Sequence, residues 1–131
     1  MKVLISLALI TASFIASAEP LVNTEKLINS GDPAQVTLGY QRCGALMIFM
    51  GNAAVKTNPE EGAGYITIGH MYSKLYRNSV DLRTEAKRNE AEISSTEKIK
   101  MYAKMVLSDT STNRSFLKKD FDFCQKWADD L

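Results

Sequence analysis

DPAQVTLGYQRCGALMIFMGNAAV, running from Asp32 to Val55, is the stretch whose reading decides the fold. Its first four residues combine an N-cap (Asp32), a proline at the first helical position (Pro33) and a glutamine (Gln35) placed to close a capping box. Within it Val36, Tyr40, Cys43, Met47, Met50 and Ala54 recur at alternating steps of four and three, the spacing of one stripe on an α-helix. No charged residue occurs from Gly44 to Val55. A helix without charge for that distance is surrounded on most of its sides, so the spacing predicts a core helix over 33–56.

Outward from this stretch the punctuation is helical. Asn58-Pro59-Glu60-Glu61 repeats the Asp32 arrangement, Ser94-Ser95-Thr96-Glu97 has the form of a capping box, and the polar run Ser108 to Asn113 offers another start. These signals predict helices over 59–93, 96–108 and 113–130, with a short helical turn leading them between Leu21 and Asn29. The second helix carries Tyr65, Ile68, Tyr72, Leu75, Ser79, Leu82 and Ala86 on one face and Lys74, Arg77, Asp81 and Arg88 on the other. The third has a narrower stripe of Ile99, Tyr102, Ala103 and Val106. The last has Leu117, Phe121, Cys124, Ala128 and Leu131, flanked by Phe116, Phe123 and Trp127. Sustained alternation and Asn-Gly or Asp-Gly turns, the marks of strands and hairpins, are missing. Gly51, Ala54, Gly62 and Ala63 lie on either side of the turn at Thr57 to Pro59, where small residues let two antiparallel helices approach closely. The expected fold is all-α: one domain over residues 19–131, a four-helix bundle closed by one disulfide.

The beginning of the chain concerns location. Met1-Lys2 is a basic start, Val3 to Ile15 is almost wholly apolar, and Ala16-Ser17-Ala18 is a small-residue cleavage site. That order is a signal peptide over residues 1–18, cut between Ala18 and Glu19. Its apolar run is short against the roughly 20 residues of a membrane span, so no stable membrane anchor is expected after cleavage. The product is expected to be exported, periplasmic or secreted. Two cysteines, Cys43 and Cys124, then meet an oxidising compartment, where an even count favours a bridge. Such a bridge closes a loop of about 80 residues, worth roughly 4.5 kcal/mol in the chain-entropy description. Lys and Arg number 16 against 15 Asp and Glu, and one of the basic residues is Lys2, so residues 19–131 carry no net charge. Nucleic acid and anionic membranes are poor partners for such a balance.

Candidate chemistry is sparse. The one histidine, His70, falls on the polar face beside Lys74 and Arg77, the place of a solvated side chain. Haem attachment through C-x-x-C-H and the C-x-x-C or H-x-x-x-H spacings of metal sites are missing, so no cofactor or metal is expected. Met47, Met50, Met71, Met101 and Met105 read as core filler or as the lining of an adaptable groove. Glu60 and Glu61 sit in an opening helical turn, where they favour the dipole without a catalytic role. The sequence therefore points away from an enzyme. The expected function is a small exported helical protein that binds another protein, of inhibitor, immunity or chaperone type. The alternative is a carrier of a small apolar ligand held between helices. With the first helix buried and the last tied to it, the expected partner surface lies at the far end of the long second helix. It comprises Arg83, Lys87, Arg88 and Glu90 as rim, with Ile93 as the apolar anchor.

Overall fold

Proline and an N-cap start the central helix, and the next proline ends its turn. Asp32 takes the N-cap position before Pro33, although its side chain makes no capping hydrogen bond, so the expected box with Gln35 does not form. After Ala54 the chain turns on Thr57 and Asn58, whose backbone N–H groups donate to the Ala54 carbonyl at 3.1 and 2.8 Å. Pro59 then opens the following helix, with the Asn58 side chain accepting from the Glu61 N–H at 3.2 Å. The computed structural model describes residues 21–131, and the proposed leader with its Ala18–Glu19 cleavage pair lies outside them. It contains α1 (Thr24–Ile28), α2 (Pro33–Ala54), α3 (Pro59–Ser79), α4 (Glu85–Ser108) and α5 (Ser111–Asp129), with no strand among the described residues.

The described residues are thus all-helical, but they form five helices in place of the expected four, and the break between the second and third long helices lies elsewhere. The expected helix over 59–93 stops at Ser79. Val80 is extended, and the Asp81 carboxylate accepts from the Arg83 N–H at 3.0 Å in a local turn. Thr84 then caps α4 by accepting from the Lys87 N–H at 3.2 Å. The Ser94–Glu97 capping box does not start a helix. It lies inside α4, where the hydroxyls of Ser94 and Ser95 accept from the Gln41 amide at 2.9 and 3.3 Å. The start inside Ser108 to Asn113 is at Thr110, whose hydroxyl accepts from the Asn113 N–H at 3.1 Å.

α2 packs most extensively on α3, and also touches α1, α4 and α5. Two groups of buried side chains lie on its flanks. One surrounds the disulfide, with Cys43, Met47, Tyr72 and Cys124 fully covered and Tyr40, Ile68, Leu75 and Trp127 packed around them. The other joins Ala45 and Leu46 to Tyr102, with Phe49, Ile99, Phe116 and Leu117 beside them. Phe121 of α5 touches both. Tyr72 stacks on Trp127 at 5.6 Å between ring centroids and donates its hydroxyl to the Cys124 carbonyl at 2.6 Å. The α2–α3 pair is close because glycine faces glycine. A Cβ on Gly62 would stand 2.4 Å from the Val55 nitrogen, and one on Gly51 would stand 2.9 Å from the Gly62 carbonyl oxygen. Ala63, expected at the same contact, is exposed. The expected core stripe also ends early in the third helix, since Val106 is 44% exposed.

Candidate functional site

Two places gather polar side chains from different helices. The first is internal. Asp120 on α5 and Arg42 on α2 form an ion pair at 2.7 Å, with side chains 0% and 5% exposed. The other carboxylate oxygen accepts from the Thr24 backbone N–H at 2.9 Å, the Thr24 hydroxyl at 3.0 Å and the Asn23 amide at 2.9 Å. Tyr102 donates its hydroxyl to Asp120 at 2.8 Å and accepts from Arg42 Nε at 3.2 Å, while Arg42 Nη1 donates to the Val22 carbonyl. The Arg42 guanidinium lies 5.4 Å from the centre of the Phe116 ring. Burial pushes the Tyr102 hydroxyl well above the usual tyrosine range, so it stays a donor. None of the buried side-chain nitrogens and oxygens here lacks a partner, and Arg42, Tyr102 and Asp120 are buried. Its role is to join α1, α2, α4 and α5. Sequence reading missed it, although one signal was present: Asp120 lies four residues before Cys124, placing a carboxylate on an otherwise apolar stripe.

The second place is open to solvent. No Cα of α3 comes within 8 Å of a Cα of α4, because the break at Val80–Thr84 sends the two helices apart over α2. Between them lies a cleft of about 550 Å³. Ser73, Tyr76 and Arg77 form the α3 wall, Leu82 closes the end at the connection, and Arg88, Asn89, Ala91, Glu92 and Ser95 form the α4 wall. The Gln41 amide of α2 reaches Ser94 and, on the cleft wall, Ser95. Burial raises the Tyr76 hydroxyl above its ordinary value, with Ser94 acting in the opposite sense. The cleft size falls in the range of ordinary ligand sites, roughly 300–1,000 Å³. It offers hydrogen-bond donors and a short aliphatic patch, without a nucleophile set beside a base. No group of three or more His, Cys, Asp and Glu able to hold a metal occurs among the described residues.

The residues singled out in sequence are distributed as follows. Cys43 and Cys124 are joined, with Cα atoms 5.5 Å apart. Arg83 and Lys87 both grip Asp81, at 2.9 and 2.6 Å, and hold its carboxyl far below the usual carboxylate range. Arg88 donates to the Leu82 carbonyl at 3.0 Å and lines the cleft. Glu90 and Ile93 lie on the same helix, turned away from Arg88 by about 160° and 140° at 100° per residue. Ile93 is 60% exposed. The projecting end of a long second helix, on which this surface was placed, does not exist: Arg83 is in the connection and the other four residues are in the first half of α4. His70 is exposed. Comparison with protein-family models, with curated proteins and with solved structures finds no match to the chain.

Proposed function

We propose that this is a small exported, non-catalytic protein that binds another protein, of inhibitor, immunity or chaperone type, and that the α3–α4 cleft is the surface it uses. The observation that carries the reading is the divergence of α3 and α4, which leaves polar side chains of both helices facing a shared opening. Export is supported by the order of Met1 to Ala18 and by the Cys43–Cys124 disulfide. Among the described residues no helix is long and apolar enough to cross a membrane. The alternative, a carrier of an apolar ligand, finds less support. Leu46, Met47, Tyr72 and Tyr102 are fully buried in the core, and the cleft walls carry charges and hydroxyls.

The test is capture from the exported fraction of the source cells, with the oxidised protein as bait. A partner polypeptide should be retained, and Ala91→Trp, which fills the cleft without altering charge, should release it. Recovery of a lipid or pigment in place of a polypeptide would support the carrier instead. A partner held equally by the Ala91→Trp bait would move the binding surface out of the cleft.

A further inference from the structure

The sequence holds five arginines. Three of them are matched with carboxylates: Arg42 with Asp120, Arg83 with Asp81 and Arg114 with Asp109. Arg77 and Arg88 have no carboxylate within 4.0 Å among the described residues. These two are also the pair that lines the cleft, one on each wall. The nearest acidic side chain in the connection, Asp81, is already engaged by Arg83 and Lys87.

Guanidinium groups suit this duty. Each presents several N–H donors in one plane and accepts a carboxylate by two parallel hydrogen bonds. The Arg88 head is oriented before anything arrives, since Nη1 donates to the Leu82 carbonyl at 3.0 Å, leaving its remaining donors for a ligand. Around the two arginines stand Ser73, Tyr76, Asn89 and Ser95, groups that hydrogen-bond a peptide backbone. Glu92 is the single carboxylate in the lining. Its carboxylate is free to accept a backbone N–H from a bound peptide and would repel a second acidic group at its end of the cleft. Leu82 and Ala91 provide a small apolar patch. Because residues 19–131 carry no net charge, the attraction is local to the cleft rather than a property of the whole surface.

We infer that the partner inserts an extended acidic segment into the α3–α4 cleft, with a glutamate or aspartate carboxylate bound between Arg77 and Arg88. This rests on the protein-binding reading above and specifies what the partner presents.

The probe is a fluorescein-labelled peptide of six glutamates, titrated by anisotropy with the oxidised protein, beside peptides of six glutamines and six lysines. The glutamate peptide should bind with a Kd below about 1 mM and weaken as salt rises from about 50 to about 500 mM. Arg77→Gln with Arg88→Gln should weaken it at least about tenfold, while Arg114→Gln, an exposed arginine outside the cleft, should leave it unchanged. Circular dichroism should show all variants folded, since both cleft arginines are exposed. Equal binding of the glutamine peptide, or equal affinities for the double variant and Arg114→Gln, would overturn the inference. The captured partner separates the two claims. If Ala91→Trp releases it and the double arginine variant retains it, the cleft binds a protein but not through an acidic segment. If the unaltered protein retains no partner, the functional reading itself fails.

Discussion

At the scale of the residue, the decisive interaction is the one between Arg42 and Asp120. A buried ion pair costs several kcal/mol to desolvate and recovers this only when each charge is fully hydrogen-bonded. Asp120 meets that condition with donors from Asn23, Thr24, Arg42 and Tyr102. No buried side-chain nitrogen or oxygen among the described residues lacks a partner. Asp120→Ala would strand the Arg42 charge where the residue is 4% exposed, and should lower the unfolding free energy by about 3–5 kcal/mol. The double change Arg42→Met with Asp120→Leu removes both charges and should cost far less than that single change. Urea unfolding of the two variants measures both values. Equal costs would mean that the stranded Arg42 charge carries no penalty of its own.

At the scale of the element, the glycines of the α2–α3 contact have opposite expectations from the one that faces away. Gly51→Ala places a methyl group 2.6 Å from Ile66 Cγ1 and 2.9 Å from the Gly62 carbonyl oxygen, so the helices must part, at a cost of about 1–3 kcal/mol. A Cβ on Gly64 meets nothing within 4 Å, and Gly64→Ala should stabilise α3 by up to about 1 kcal/mol. Thermal or urea unfolding should separate the two in sign. The same contact shows what was legible in the sequence. Pro33, Pro59 and Asn58 act locally, so the start of α2 and the turn into α3 could be read directly. The end of α3 could not. Leu82 and Ala86 continue its apolar stripe past Ser79, and no glycine or proline interrupts it. The stop is made by Asp81 and Thr84, whose effect depends on backbone geometry. Conversely, Ser94 to Glu97 carries a cap pattern that a contact with Gln41 overrides. The cleft was illegible for that reason, since it exists only because α3 ends at Ser79.

At the scale of the molecule, the disulfide and the Asp120 cluster lie side by side: the Thr24 hydroxyl is 3.6 Å from Cys124 Sγ. Together they fasten α5 to the first two helices, although α5 makes few backbone approaches to α3. Reduction reopens a link between residues 81 apart, and the chain-entropy description values that link at about 4.5 kcal/mol. Urea unfolding with and without reductant should show a loss of that order. An unchanged midpoint would mean that packing alone holds α5 in place.

The span of these fastenings has a consequence for biosynthesis. A chain made from its N-terminus can pair α2 with α3 as soon as Ser79 has emerged, since only residues 55–58 separate the two helices. α1 already rests on α2, where Leu27 and Ile28 lie against Gly39, but the hydrogen bonds that hold Asn23 and Thr24 reach 97 and 96 residues ahead and wait for α5. Over the same interval Cys43 is a solitary thiol. With two cysteines in the sequence, any disulfide it forms before Cys124 is made must be to a thiol outside the chain. Disulfide formation within one chain therefore marks the arrival of the last helix, and a nascent chain halted before α5 cannot form its native bridge.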